Sequence, residues 1–268
     1  MIRVERDKVT FYQFLGLRSF PGLSHFVSGR EGGVSVGGHA ALNLGFMDED
    51  RDDRVLTNRM LLAEAVGCSV DNFTFGEQKH TTHVEVVTRA QRGRGGREKA
   101  TRLPSTDALI TRETGVCLMV LAADCVPVLL YDTRKKVVAA IHAGWRGTVA
   151  RIVEKTVSVM DNQYGSQGKD LIACIGPSIS LEAFEVGDEV YQAFCEAGFD
   201  MNQIARKEAK WHIDLWEANR QQLLAYGVKP EHIEISGICT YHNNDDFFSA
   251  RRQGIRSGRI LSGILLGV

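Results

Sequence analysis

The stretch Gly115–Gly147, GVCLMVLAADCVPVLLYDTRKKVVAAIHAGWRG, decides how this chain is read. It contains two long apolar runs, each of the kind that forms a strand buried on both faces. Each run is broken once by residues such a strand should exclude: Asp124-Cys125 in the first and His142 in the second. A carboxylate or imidazole is costly to bury unless it is hydrogen-bonded, charge-paired or bound to a metal. Past His142, the turn Ala143-Gly144-Trp145-Arg146-Gly147 enters a helix whose Val149, Ile152, Val153, Thr156 and Met160 share one stripe. Strand, glycine turn and helix N-terminus together aim backbone N–H groups at an anion. Cys125 and His142 thus stand as metal ligands or as a nucleophile and its base, beside an anion pocket.

Working outward, residues 1–20 read as a first strand or two, ending in the turn Phe20-Pro21-Gly22. Residues 25–45, HFVSGREGGVSVGGHAALNLG, hold six glycines with Ser28, Arg30, Ser35 and Asn43 between them. That is too polar for core and too long for a connector, so it reads as a loop that wraps a ligand. A helix capped by Asp52 or Asp53 ends at Gly67, and Arg59 on its apolar face is expected to snorkel outward. Gln78, His80 and His83 stand at the entrance of a strand carrying Val84 and Val86. Residues 89–102 bring six positive charges and three glycines. Lacking aromatic stacking platforms, they read as a solvated hairpin edging an anionic-ligand cleft. Asp107 reads first as a turn cap, with orientation of a histidine as its other use.

Downstream, LIACIG at 171–176, FEVG at 184–187, IEISGICT at 233–240 and the terminal ILSGILL read as strands. A helix at 188–197 and another opened by Asp214 and closed by Gly227 lie between them. The mixture of β and α throughout implies a single α+β domain over 1–268, with a large mixed sheet system.

With 44% hydrophobic and 24% charged residues and a net charge of −1, the composition is that of an ordinary soluble protein. Neither nucleic acid nor a membrane is expected as a partner. The opening lacks the apolar core of a secretory signal and no run is long enough to span a bilayer, so a cytoplasmic location is expected. Five of the six cysteines lie in apolar contexts suited to small buried side chains. Cys125 is the exception.

His80, Cys125 and His142 admit three readings. As ligands, one thiolate and two imidazoles suit zinc and leave a fourth position open. Copper is chemically possible, although a multicopper centre needs more histidines than a chain with eight supplies. As nucleophile and base, Cys125 and His142 make a thiol hydrolase, with Asp124 or another group orienting the imidazole. As structure, all three are satisfied polar groups.

The segments FVSGREGGVSVGGHAALNLG, QKHTTHV, DALIT, AADCVPVLLYD, AAIHAGWRG, IGPSIS with FEVG, IDLWEANRQQLL and FFSARRQGIRSGR together resemble the laccase-domain family, also called YfiH-like or multicopper polyphenol oxidase-like proteins. The likeness runs from about Ser28 to the C-terminus. It implies a layered α/β/β/α sandwich and a zinc site made of His80, Cys125 and His142, with His83 a neighbour. It further implies a purine nucleoside phosphorylase that also cleaves methylthioadenosine and deaminates adenosine. Copper-dependent phenol oxidation, or a non-catalytic role in peptidoglycan composition, is the alternative. Lys79 and Thr81 depart from the valine and glycine common in the family, and Ser178 from a common cysteine. On this reading Ser28, Arg30, Gly144 and Arg146 hold phosphate, Asn43 and Gln78 read the purine or ribose, and Glu185 serves as proton donor or ion-pair partner. The expected ligands are purine nucleosides and phosphate.

Overall fold

The computed structural model describes residues 1–267, and among these two six-stranded sheets dominate. The first runs β1 (Ile2–Arg6), β2 (Val9–Gln13), β3 (Leu23–Ser28), β15 (Ile260–Leu266), β7 (Cys117–Ala122) and β4 (Phe73–Phe75). The second runs β14 (Ile233–Ile235), β10 (Leu171–Ile175), β8 (Val126–Asp132), β9 (Val137–Ala143), β6 (Ala108–Thr111) and β5 (Val84–Val86). A small sheet of β11 (Glu185–Val186), β13 (Trp211–Ile213) and β12 (Ala205–Lys207) lies apart.

Side-chain alternation along the strands sorts the core into layers. On β7, Leu118 and Val120 face Val138 and Ala140 of β9 across the two sheets. Cys117 and Met119 face the other way, toward Leu62, Ala63 and Ala65 of the helix Asp52–Ala65. The opposite face of β9, Val137, Ala139 and Ile141, packs on Ile152, Val153, Val157 and Met160 of the helix Ile152–Tyr164. Helix, sheet, sheet and helix therefore stack as four layers, the α/β/β/α sandwich expected from the resemblance. Each fully buried Val, Leu or Ile is worth about 1.5–3 kcal/mol. That burial holds the ends of β8 and β9 rigid where the polar residues sit. No helix among the described residues is long and apolar enough to cross a membrane.

Several expectations are corrected. The first apolar run is two strands in different sheets, β7 and β8, and Ala123-Asp124-Cys125 is the crossing between them. A run whose one interruption carries neither glycine nor proline conceals such a crossing, which here turns at Asp124 with φ +85°. The helix after Gly144 is broken: Trp145–Val149 and Ile152–Tyr164 are separated by Arg151 in the left-handed region. Residues 25–28 belong to β3, and Ser28, Ser35 and Asn43 are buried, so much of the glycine-rich segment is interior. Arg51 is the N-cap of the helix Asp52–Ala65, with Asp52 and Asp53 in its first turn and no side-chain cap.

Arg59 does not snorkel. It is fully buried, donating to the carbonyls of Leu44, Gly95 and Gly96, with Phe46 and Phe75 each 4.2 Å from its guanidinium. The basic run 89–102 is no hairpin but a loop with single helical turns at Arg89–Gln91 and Lys99–Thr101. The late strand covers Ile233–Ile235 alone.

Candidate metal centre

The chain passes from the first sheet to the second twice near one end of the sandwich, after β4 and after β7, and each crossing carries one of the suspected residues. His80 lies in the β4–β5 crossing, with φ +58°. Cys125 lies in the β7–β8 crossing, immediately before β8. His142 is the last residue but one of β9, on the face that Val138 and Ala140 turn toward the first sheet. The register that pairs Pro127 with His142 brings Cys125 to its side. One donor atom from each residue lies within 4.8 Å of the other two.

The donor set fits a divalent ion. Bond lengths of about 2.0–2.3 Å in a tetrahedral zinc site set donor separations of about 3.3–3.8 Å, inside the 4.8 Å within which the three atoms already lie. Among the described residues this is the one group of three or more His, Cys, Asp or Glu side chains so gathered. Gly144 supplies the room: a Cβ there would stand 2.8 Å from His80 Nδ1 and 3.0 Å from Cys125 Sγ.

Register also explains Asp107. Ala108 pairs with Ile141, so Asp107 just outside β6 stands beside His142, whose Nδ1 is 2.8 Å from Oδ1. Asp107 is thus both an imidazole partner and the cap of the turn at residues 79–81, uniting the two uses foreseen for it. Burial opposes the charge on each, yet the pair keeps it. The adjacent Cys125 and Asp107 outweigh desolvation and hold His142 at about 9. Asp107 likewise resists desolvation and is held at about 2 by His142 and Thr81. His80, more open to solvent, is lowered by desolvation and by the neighbouring His142. Asp124 does not orient the imidazole: its carboxylate accepts from the Thr240 hydroxyl and the Arg251 N–H, each at 2.6 Å.

All three donors open onto a cavity of about 350 Å³. Phe46, Met47 and Leu121 form an apolar wall, and Arg102 and Arg259 bring two guanidinium groups. Both arginines donate to main-chain carbonyls rather than to carboxylates: Arg102 to Lys99, and Arg259 to Ser257, Gly258 and Ile255. Desolvation lowers the pKa of each. Neither was singled out in sequence. The six-charge run did contain Arg102, but nothing in local pattern separated it from five solvated neighbours.

The other suspected residues lie as follows. Gln78 lines the cavity, but its amide is closed on the Leu121 backbone, donating to O and accepting from N at 2.8 Å each. Ser28 accepts from Leu261 N, and Arg30 is bound to the carbonyls of Ala40 and Asn244 over the Phe248 ring. Asn43 bonds Gly45, Asp50 and the Arg259 N–H, so it acts on the cavity only through its wall. Arg146 is exposed and stacked on Trp145, close enough to depress His80. Its five-residue helix Trp145–Val149 is too short to present a strong N-terminal dipole. His83 faces Glu85 at 3.4 Å, and Glu185 pairs with Lys210 at 2.8 Å.

Fold and site together define an α/β/β/α protein with one three-donor, metal-competent centre at a cationic cavity. The chain belongs to the multi-copper polyphenol oxidoreductase laccase family, whose model matches residues 24–267. It is 48% identical, over 99% of its own length and 99% of the other's, to a purine nucleoside phosphorylase of Bacteroides thetaiotaomicron. It is 39% identical to adenosine deaminase RL5 of an unknown prokaryotic organism, over 97% and 98% of the two chains. Its structure matches that of YlmD from Geobacillus stearothermophilus with a TM-score of 0.93 at 32% identity, covering 99% and 98%.

Proposed function

We propose that this chain is a zinc-dependent purine nucleoside phosphorylase acting on adenosine, inosine, guanosine and methylthioadenosine, with adenosine deamination as a second activity. The observation that carries the reading is the His80-Cys125-His142 triangle at a cavity whose two guanidinium groups lack carboxylate partners. The names of the relatives point the same way. The His₂Cys donor set favours zinc, since a multicopper centre would call for further histidine groups that the described residues do not gather.

In phosphorolysis a phosphate oxygen forms a bond to the anomeric carbon while the bond to the purine nitrogen breaks and the base leaves. Arg259 and Arg102 hold the phosphate by charge-assisted hydrogen bonds, a task better suited to them than to the backbone-bound Arg30. Phe46, Met47 and Leu121 shelter the base and exclude water from the glycosidic bond. When bound, zinc supplies a Lewis acid that orients and polarises an oxygen nucleophile. Asp107 keeps the His142 imidazole turned so that Nε2 faces the centre.

A second reading is favoured by the Cys125-His142-Asp107 succession: a thiol hydrolase with His142 as base and Asp107 orienting it. His80 then has no task, which is why the metal reading leads. Cys125→Ala should lose both retained zinc and phosphate-dependent release of adenine from adenosine. Full phosphorolysis by that metal-free variant would refute the proposal. Turnover of a phenol by the copper-loaded protein, with adenosine untouched, would favour the oxidoreductase alternative.

A further inference from the structure

The single carboxylate of Asp107 faces five donors and no solvent, and its two oxygens divide them. Oδ1 takes the His142 ring at Nδ1, at 2.8 Å, and the backbone N–H of His80, at 3.1 Å. Oδ2 takes the backbone N–H groups of Lys79 and Thr81, at 3.1 and 2.8 Å, and the Thr81 hydroxyl at 2.9 Å. The main-chain carbonyl of Asp107 accepts from His142 N at 2.8 Å. His80 sits within this turn in the left-handed region, a conformation that a non-glycine residue keeps only where surrounding bonds impose it.

We infer that Asp107 is the positioning residue for both imidazoles of the centre, orienting the ring of His142 and, through the turn at residues 79–81, setting the direction in which His80 points. His80 comes from the crossing between the two sheets and His142 from strand β9, and among the described residues Asp107 is the side chain that bonds to both segments. The inference rests on the metal reading above and adds to it that the open crossing is preorganised by one anion rather than closed by the ion.

The chemistry of the carboxylate makes this testable. In Asp107→Asn one oxygen becomes an NH₂ group, and whichever side it takes it meets donors: the Oδ1 side holds His142 and His80, the Oδ2 side holds Lys79 and Thr81. With its oxygen on the Oδ1 side the amide keeps His142 and His80 but sets NH₂ against the Lys79 and Thr81 donors that hold the turn; with its oxygen on the Oδ2 side it keeps the turn and loses the Oδ1 acceptor of both histidines. Thr81→Val removes one donor from Oδ2, together with the hydroxyl's contacts to Ser105 O and His83 N, and leaves His142 and the three backbone N–H donors to Asp107 in place.

The probe is Co²⁺ added to the metal-free full-length protein, followed by the thiolate-to-cobalt charge-transfer absorption, the ligand-field bands and the rate of cobalt loss to a chelator. Wild type is expected to bind one equivalent with a thiolate band. Asp107→Asn is expected to keep that band, since Cys125 is untouched, but to show altered ligand-field bands and to release cobalt about 10–100-fold faster. Thr81→Val should keep the wild-type spectrum and release the metal only a few-fold faster. Both metal-free variants are compared with wild type by circular dichroism. Cobalt binding by Asp107→Asn with wild-type spectrum and rate overturns the positioning role alone. Loss as severe in a folded Thr81→Val overturns the division between the oxygens, and failure of wild type to bind stoichiometrically overturns the metal reading with it.

Discussion

Gly144→Ala should disable the centre while leaving the fold intact. Gly144 has φ −65° and ψ 167°, a conformation open to any L-residue, so alanine adds no backbone strain. The added methyl would lie 2.8 Å from His80 Nδ1 and 3.0 Å from Cys125 Sγ, whereas ordinary contact begins at 3.4 Å. It is short by about 0.6 Å against the first and about 0.4 Å against the second. Binding an ion requires the same atoms to stand about 3.3–3.8 Å from one another, and the methyl crowds two of them at once. Overpacking of this order costs about 1–3 kcal/mol, or roughly a 10- to 100-fold loss of metal affinity. In the metal-free protein His80 can swing toward solvent, so apoprotein stability should change by less than about 1 kcal/mol. Competition with a chromogenic chelator measures the affinity and urea unfolding of the metal-free forms measures the stability. Zinc bound with wild-type affinity by Gly144→Ala would refute the proposed triangle.

Arg259→Ala is expected to raise KM for phosphate about tenfold or more, as expected for losing a charge-assisted hydrogen bond, while zinc content stays at the wild-type value. Initial rates at varied phosphate with metal analysis check it, and an unchanged KM would remove Arg259 from the anion site. His25 gives a prediction for stability. Burial lowers its pKa to about 4, and its Nε2 accepts the Phe14 N–H at 2.8 Å. A folded pKa below the unfolded value of about 6.5 means that the unfolded chain binds the extra proton. Its stabilising contribution is therefore present above pH 6.5 and is lost as the pH falls through 4, by about 3 kcal/mol at most. Urea unfolding across pH 7 to 4 should show that loss, and His25→Gln should flatten it.

The grouping of His80, Cys125 and His142 was legible in the sequence, because chemistry-bearing residues inside apolar strands stand out whatever the topology. His142 in β9 and Cys125 ahead of β8 were visible as interruptions of pattern, and β10 and β15 as uninterrupted ones. The division of the first apolar run between two sheets was hidden, since Ala-Ala-Asp carries neither glycine nor proline and both strands are buried on both faces. Arg151 hid the helix break for the same reason: a residue of good helix propensity occupies the left-handed position. Arg259 and Arg102 could not be told from solvated charges, because what distinguishes them is the lack of a carboxylate in space. Arg59 went the other way. Its acceptors are three carbonyls 15 to 37 residues away, which no local pattern reveals.

The two sheet-to-sheet crossings have a mechanical consequence. His80 and Cys125 hang on the straps that join the layers, and His142 is anchored in one layer only. An ion seated among them would work as a buckle across the open end of the sandwich, so sliding of one sheet over the other would widen the triangle directly. Grip on the metal and rigidity of the seam are then the same property, and a substitution buried between the sheets far from any donor atom would be felt as a looser hold on the ion.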